Sequence, residues 1–131
     1  MLIWVLVVLA LGMFAYIRLA PVDTARWHQP IVGDSDKTFA GGAMRVVAAG
    51  PDGLKRVDAA ARALPRTVVI AGSVEQGRVT YMTRSKVVGF PDFTTVEQDG
   101  DTLRLYARLR FGRRDFGVNA ARLRNLVAVL Q

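Results

Sequence analysis

The stretch from Thr102 to Gln131 constrains the fold more than any other part of the chain, because its hydrophobic period changes once within it. Apolar and polar residues alternate from Leu103 to Phe111, which predicts a strand with one buried face. After a break around Gly112, apolar residues recur at helical spacing, which predicts an amphipathic helix. Strand and helix should therefore cover the same core. The residues expected to be buried together there are Leu105, Leu109, Leu123, Leu126 and Leu130.

Shorter patterns upstream predict the rest of the fold. Strands are expected at 43–49, 67–71, 79–84 and 93–98, and an apolar stripe predicts a helix over 54–64. Short connections favour antiparallel neighbours. The order β-α-β-β-β-β-α then predicts an α+β two-layer sandwich, with an antiparallel sheet of about five strands and two helices on one face. The alternative is a helix-grip-like arrangement, in which a curved sheet holds the last helix.

The pair Asp99-Gly100 predicts a two-residue hairpin turn between the last two strands. Strand register then follows by counting outward from the turn. Glu97 would lie diagonal to Arg104, within reach of an ion pair. The expected inner pairs are Val96 with Leu103 and Thr94 with Leu105, and the expected outer pairs are Thr95 with Arg104 and Phe93 with Tyr106.

The first twenty residues have the character of a membrane segment. No charged side chain occurs before Arg18, and the apolar run reaches Ala20. About twenty helical residues rise roughly 30 Å, the thickness of a hydrocarbon core. A cleaved signal peptide is the alternative, but no basic residue precedes the run, and Arg18 would stand three positions before a cut after Ala20. We therefore expect an uncleaved transmembrane anchor over residues 1–20.

Residues 21–42 are rich in prolines and glycines and predict a tether between the anchor and an α+β domain over 43–131. His28, the only histidine, is interpreted as a packing residue. Asp34 and Asp36 resemble the start of a calcium loop, but no third carboxylate follows at the required spacing, so a solvated loop is expected.

Composition removes several classes of function. The chain has no cysteine, which excludes disulfides, thiolate metal sites and cysteine nucleophiles. It has no glycine-rich phosphate loop and no nucleophile elbow, so neither a cofactor nor a metal nor a catalytic residue is predicted. The net charge of +7 favours phosphates, anionic lipid or an acidic partner.

The turn after the last strand holds the most unusual chemistry of the sequence. Asp115 lies among several arginines, and Asn119 is placed as the N-cap of the last helix. Two interpretations are open: Asp115 organises the turn and is neutralised by its arginines, or helix amides and guanidinium groups form an anion site. The candidate binding residues are Arg84, Asp92, Glu97, Arg108, Arg110, Arg113, Arg114, Asp115, Asn119 and Arg122.

Some of these residues also carry a family resemblance. Phe90, Asp92 and Glu97, followed by the segment from Arg110 to Asn119 and by Arg122, resemble the bacterial and plastid domain of unknown function family 1499, over residues of about 84–122. The chain departs from that family's pattern at Phe93, where a second aspartate is usual, and at 106–109. The resemblance implies no activity. Because relatives commonly carry export signals, it implies an extracytoplasmic domain.

Three functions remain after these exclusions. The leading hypothesis is a membrane-anchored, non-catalytic interaction or accessory domain that binds an acidic partner, for example a membrane protein, or an anionic ligand. A small-molecule enzyme using Asp92, Glu97 or Asp115 is the alternative, although nearby arginines would lower the pKa of these carboxylates. The second alternative is binding of nucleic acid or anionic lipid through the arginines and Tyr106 of the outer sheet face. A membrane anchor argues against nucleic acid as the ligand.

The side of the membrane is contested. Arg18 and Arg26 follow the apolar segment and no cation precedes it, so the positive-inside rule favours the cytoplasm. The family resemblance favours the opposite side. We expect a single-pass protein of the bacterial inner membrane with a periplasmic domain.

Overall fold

A computed structural model describes the whole chain, residues 1–131. The helices are α1 (Leu2–Leu19), α2 (Thr24–Trp27), α3 (Gly53–Arg62) and α4 (Val118–Ala128). The strands are β1 (Lys37–Phe39), β2 (Gly42–Ala48), β3 (Thr67–Ser73), β4 (Arg78–Arg84), β5 (Pro91–Asp99) and β6 (Thr102–Leu109).

The strands form one antiparallel sheet in the order β1-β2-β6-β5-β4-β3, and α3 and α4 pack on one of its faces. This confirms the predicted α+β class, antiparallel sheet and pair of helices. The sheet has six strands because β1, a short edge strand, forms within the segment interpreted as a tether.

The core lies between the helices and the inner sheet face, where β6 contributes Leu103, Leu105 and Ala107, each fully buried. Leu123 and Leu126 of α4 meet them from the helix layer, as predicted. Leu109 and Leu130 are only half-buried, because each lies at or beyond the end of its element, and Leu130 packs at the margin of the cluster. The prediction that all five leucines are buried together is therefore wrong for these two.

The hairpin between β5 and β6 differs from the predicted register. Gly100 and Asp101 form the turn, and Asp99 pairs with Thr102. Gly100 has a φ of +61° and Asp101 is not in the left-handed region, so glycine occupies the first central position, as in a type II′ turn. Each partner on β6 moves by two residues, which leaves both faces unchanged. The resulting pairs are Val96 with Leu105, Thr94 with Ala107, Thr95 with Tyr106, Phe93 with Arg108 and Glu97 with Arg104.

Residues 21–36 lie across the outer face of the sheet instead of forming a free tether. Trp27 of α2 stacks on Phe93, with ring centroids 4.1 Å apart and an angle of 15° between the planes. Thr95 donates a hydrogen bond to the Trp27 carbonyl, and Ile31 is buried nearby. The segment packs because its large apolar side chains meet an apolar position, Phe93, that was expected to face solvent.

His28 packs in the same layer, as predicted. Its Nδ1 lies 2.8 Å from the Thr80 hydroxyl, and burial is the main reason that its pKa is lowered.

Helix α1 is long and apolar enough to cross a membrane, with a mean hydropathy of 2.3, by the criteria of length and composition. A signal sequence would meet the same criteria. Most of α1 is exposed, and only its last turn contacts the rest of the chain.

Candidate functional site

Asp115 holds the start of α4 through the backbone. Its Oδ1 accepts a hydrogen bond from the Gly117 amide at 2.9 Å, and its Oδ2 accepts one from the Asn119 amide at 3.1 Å. A carboxylate is favourable there because it satisfies free amides at the positive end of the helix. Asp115 therefore organises the turn, as the first of the two interpretations predicts. No arginine forms an ion pair with Asp115, so its predicted neutralisation by neighbouring arginines is wrong.

Asn119 is not the N-cap. Gly117, with a φ of +81°, occupies that position, and Asn119 lies inside the first turn, fully buried. Its Oδ1 accepts a hydrogen bond from Arg122, and its Nδ2 has no hydrogen-bond partner. The helix starts earlier than predicted because Asp115 supplies the acceptors that a capping asparagine would have supplied.

Asp92, at the start of β5, is a carboxylate whose pKa is raised. Arg122 lies 3.4 Å from its Oδ2. Burial raises its pKa, and this outweighs the lowering by Arg122, while Asp115 raises the pKa further. Arg122 lowers the pKa of Asp92, as expected, but the net shift is upward because loss of hydration disfavours the charged form more.

A surface cavity of about 350 Å³ opens beside these acidic side chains. Asp92 and Asp115 are its carboxylates, and its apolar wall includes Leu109 and Val118. Phe90 and Phe111 complete that wall. The cavity can therefore accommodate a partly apolar group beside a carboxyl that burial favours in its neutral form.

The arginines of the turn have other partners or none. Arg110 donates to the Pro21 carbonyl at 2.9 Å and lies over the Phe111 ring. Arg113 and Arg114 are exposed, and neither side chain makes an ion pair or a hydrogen bond within the protein. Two guanidinium groups of the turn are therefore available for an external anion.

Arg84 joins the domain to the end of α1. It donates to the carbonyls of Ile17 at 3.3 Å, Arg18 at 3.1 Å and Gly89 at 2.9 Å. A cation is favourable at a helix C-terminus, where carbonyls are unpaired. Burial lowers the pKa of Arg84, and repulsion from Arg18 and Arg110 lowers it further. A cluster of three guanidinium groups thus surrounds this end of α1.

Glu97 and Arg108 lie away from the turn, on the outer sheet face. Glu97 pairs with Arg78 at 2.6 Å, whereas Arg104 binds Asp34 and Asp99, so the predicted pair of Glu97 with Arg104 is not formed. Arg108 donates to the Trp27 carbonyl, and burial lowers its pKa to about 10. Residues 21–36 cover much of the outer sheet face that was expected to be open to nucleic acid or lipid.

The structure therefore separates the predicted site residues into two groups. Those near the turn and the end of α1 are Arg84, Asp92, Arg110, Arg113, Arg114, Asp115, Asn119 and Arg122. Sequence reasoning missed Arg18 as a member of this group, since only its position after the apolar run marked it. No three histidine, aspartate or glutamate side chains lie close enough together to hold a metal ion.

Comparison with known proteins places the chain in a family. No curated protein and no solved structure matches it. A family model described as "Protein of unknown function (DUF1499)" matches residues 24–130. This range includes residues 24–36 on the outer sheet face and leaves out α1. The match covers far more than the segment that carries the resemblance in the sequence. The chain belongs to the DUF1499 family.

Proposed function

We propose that this chain is a single-pass, membrane-anchored, non-catalytic domain that binds an anionic partner through the turn between β6 and α4. One observation carries the proposal: Asp115 is engaged by backbone amides, which leaves Arg113 and Arg114 without a carboxylate partner. Exposed guanidinium groups without an internal counter-ion are suited to bidentate binding of phosphate or carboxylate.

The anchored form is supported by contacts at the end of α1. Ile17 and Ala20 are buried, at 5% and 8% exposure. Cleavage after Ala20 would remove both of them, together with two of the carbonyls that Arg84 binds. A retained helix therefore keeps contacts that a cleaved signal peptide would lose. The periplasmic side of the bacterial inner membrane is proposed from the export signals that the family resemblance implies.

The test of anion binding uses inorganic pyrophosphate as the probe and the full chain in mild detergent. Pyrophosphate should raise the melting temperature of the native protein and of a Lys55→Gln/Arg124→Gln control, which loses two exposed, unpaired cations from α3 and α4. An Arg113→Gln/Arg114→Gln variant should lose most of this rise. Equal rises in the two variants would contradict the proposal.

A second candidate function is acid chemistry at Asp92, favoured by its raised pKa and by the adjoining cavity. Of the three carboxylates considered from the sequence, Glu97 is paired with Arg78 and Asp115 is bound to amides, which suits both to structural roles. Mass spectrometry of the purified full chain tests this alternative. A small molecule that copurifies with the native chain and is lost in Asp92→Asn would support it.

A further inference from the structure

We propose that the end of the domain that contacts α1 is a membrane-contact rim that binds anionic phospholipid headgroups. The rim consists of the β4–β5 loop (residues 85–90) and the β6–α4 turn (residues 110–117). The inference rests on the proposed function, because it requires α1 to span the bilayer.

The topology brings both loops to one end of the sheet. β4 ends at Arg84, which pairs with Pro91 at the start of β5, and Asp92 pairs with Leu109 at the end of β6. The turns at 74–77 and 100–101 lie at the other end of these strands. With seven to nine residues per strand and ~3.3 Å per residue, the two ends are separated by roughly 20–30 Å.

Contacts with α1 come only from the rim end. Arg18 donates to the Val87 carbonyl at 3.0 Å, and the Tyr16 ring contacts the Phe111 ring edge-on at a centroid distance of 6.0 Å. Arg84 and Arg110 bind backbone carbonyls at Ile17, Arg18 and Pro21. If residues 1–20 span the bilayer, loops held against residues 16–21 must lie at the depth of the headgroups.

The exposed chemistry of the rim fits that depth. Val87 and Phe116 are 76% and 90% exposed, each at the tip of one loop. Phe116 also has a φ of +54°, a strained conformation for a bulky residue, which indicates that the turn holds this ring outward. Lys86, Arg113 and Arg114 are exposed beside these apolar tips. Apolar tips flanked by cations are typical of surfaces that insert shallowly into an anionic membrane.

Charge is distributed unevenly between the two ends of the sheet. The far turns carry Glu75 and Asp101, both exposed and without an ion-pair partner, and Asp99, which is exposed and paired with Arg104. At the rim the carboxylates are Asp92, which is mostly buried, and Asp115, which is bound to amides. An anionic surface would attract the rim and repel the far end, so the same charges that favour binding also orient the domain.

A lipid surface explains the rim better than a soluble anion does. A soluble phosphate needs only convergent cations, and it gives no role to the exposed side chains of Val87 and Phe116. The two loops together present a surface with apolar tips and cations, joined to the membrane helix itself. We therefore assign the anionic partner of the proposed function to phospholipid headgroups next to α1.

The test places a nitroxide label at single cysteines, which the cysteine-free chain allows. The full chain carrying Val87→Cys at the rim, or Asp101→Cys at the far end as the control position, is reconstituted into nanodiscs. The discs contain phosphatidylcholine alone or mixed with phosphatidylglycerol. In both discs the rim label should be less accessible to a water-soluble nickel chelate than the far label, because α1 holds the rim near the headgroups. In the mixed discs the accessibility of the rim label should fall severalfold further, whereas the far label should remain accessible in both.

Charge variants link this protection to the rim. Arg113→Gln/Arg114→Gln should abolish the effect of phosphatidylglycerol on the rim label, and Lys55→Gln/Arg124→Gln should leave it unchanged. Equal accessibility of the rim label in the two lipids, or equal behaviour of the two variants, would overturn the inference.

Two further readouts separate failure of this inference from failure of the proposed function. Extraction of the chain from native membranes by alkaline carbonate would show that α1 does not anchor it, and the proposed function would fail. Suppose instead that the chain stays in the membrane and that pyrophosphate stabilises it through Arg113 and Arg114, while phosphatidylglycerol leaves the accessibility of the rim label unchanged. In that case only the lipid assignment is wrong.

Discussion

Single side chains at the β6–α4 turn have roles that their neighbours in sequence do not reveal. Asp115 lies among arginines but uses both oxygens on amides of α4. Asp92 meets Arg122 yet has a raised pKa, because it is buried more effectively than it is neutralised. Residue identity and charge count were sufficient to select these carboxylates as candidates. Only their surroundings in the fold show that Asp115 caps a helix and that Asp92 has a raised pKa.

Replacing Asp115 by asparagine should destabilise the domain by ~1–3 kcal/mol, because hydrogen bonds to a charged acceptor are lost at the start of α4. Urea denaturation of the full chain in mild detergent measures the change. Asp101→Asn is the matched control, since Asp101 is exposed and its side chain has no hydrogen-bond partner. An unchanged midpoint in Asp115→Asn, together with tighter pyrophosphate binding, would show that Asp115 limits an anion site instead.

The raised pKa of Asp92 predicts a pH dependence of stability. A carboxyl with a higher pKa in the folded state binds its proton more tightly there than in the unfolded chain, so its contribution is greatest below the ordinary value of about 3.9. That contribution is lost as the pH rises from this value through the raised pKa.

The Asp92→Asn side chain stays neutral at every pH, so the free energy of unfolding of this variant should not fall for this reason as the pH rises. The free energy of unfolding of the native chain should therefore fall relative to the variant as the pH rises through this window. Urea titrations at a series of pH values check the prediction. A constant difference between the two proteins across the series would mean that Asp92 titrates as an ordinary carboxyl.

At the level of elements, the segment before the sheet determines which face remains open. Its prolines and glycines predict a tether, but α2 and residues 28–36 form a layer on β4, β5 and β6. The strand pattern correctly predicted two different faces on β6. It did not show that the outer face would be covered, since the covering residues come from a distant part of the chain.

Trp27→Ala should lower the free energy of unfolding by ~3–5 kcal/mol, the usual range for removing a large buried aromatic, because it exposes Phe93 and the half-buried Arg108. Val32→Ala is the control from the same segment, since Val32 is 88% exposed. Urea denaturation of both variants compares them. If Trp27→Ala costs as little as Val32→Ala, the segment behaves in solution as the tether that its composition predicts.

At the level of the whole molecule, one end of the sheet holds α1, unpaired cations and exposed apolar tips, and the other end holds carboxylates. This polarity is the basis for both proposals. If α1 spans the membrane as proposed, this polarity also limits how the domain is oriented, because loops held against the end of α1 stay near the membrane surface while those contacts persist.

Membrane topology follows from the anchored, periplasmic arrangement that we propose. Alkaline phosphatase, which is active only after export, should be active when fused after Gln131, and a reporter active only in the cytoplasm should be silent there. A fusion to a known cytoplasmic membrane protein is the control for reporter expression. Activity of the cytoplasmic reporter would place the domain on the side that the positive-inside rule favours.

The sequence by itself determined the fold class and most of the elements, but not α2 and β1, which lie in the segment predicted to be a tether. Period-two and helical patterns are local properties of side-chain direction, so β6, α3, α4 and the antiparallel α+β arrangement could be predicted. The position of the Gly100 turn, the cover over Phe93 and the raised pKa of Asp92 depended on the tertiary structure. So did the gathering of Arg18, Arg84 and Arg110 at one end of α1. Burial and charge proximity arise between residues far apart in the chain, and no local pattern records which distant side chain will remove water from another.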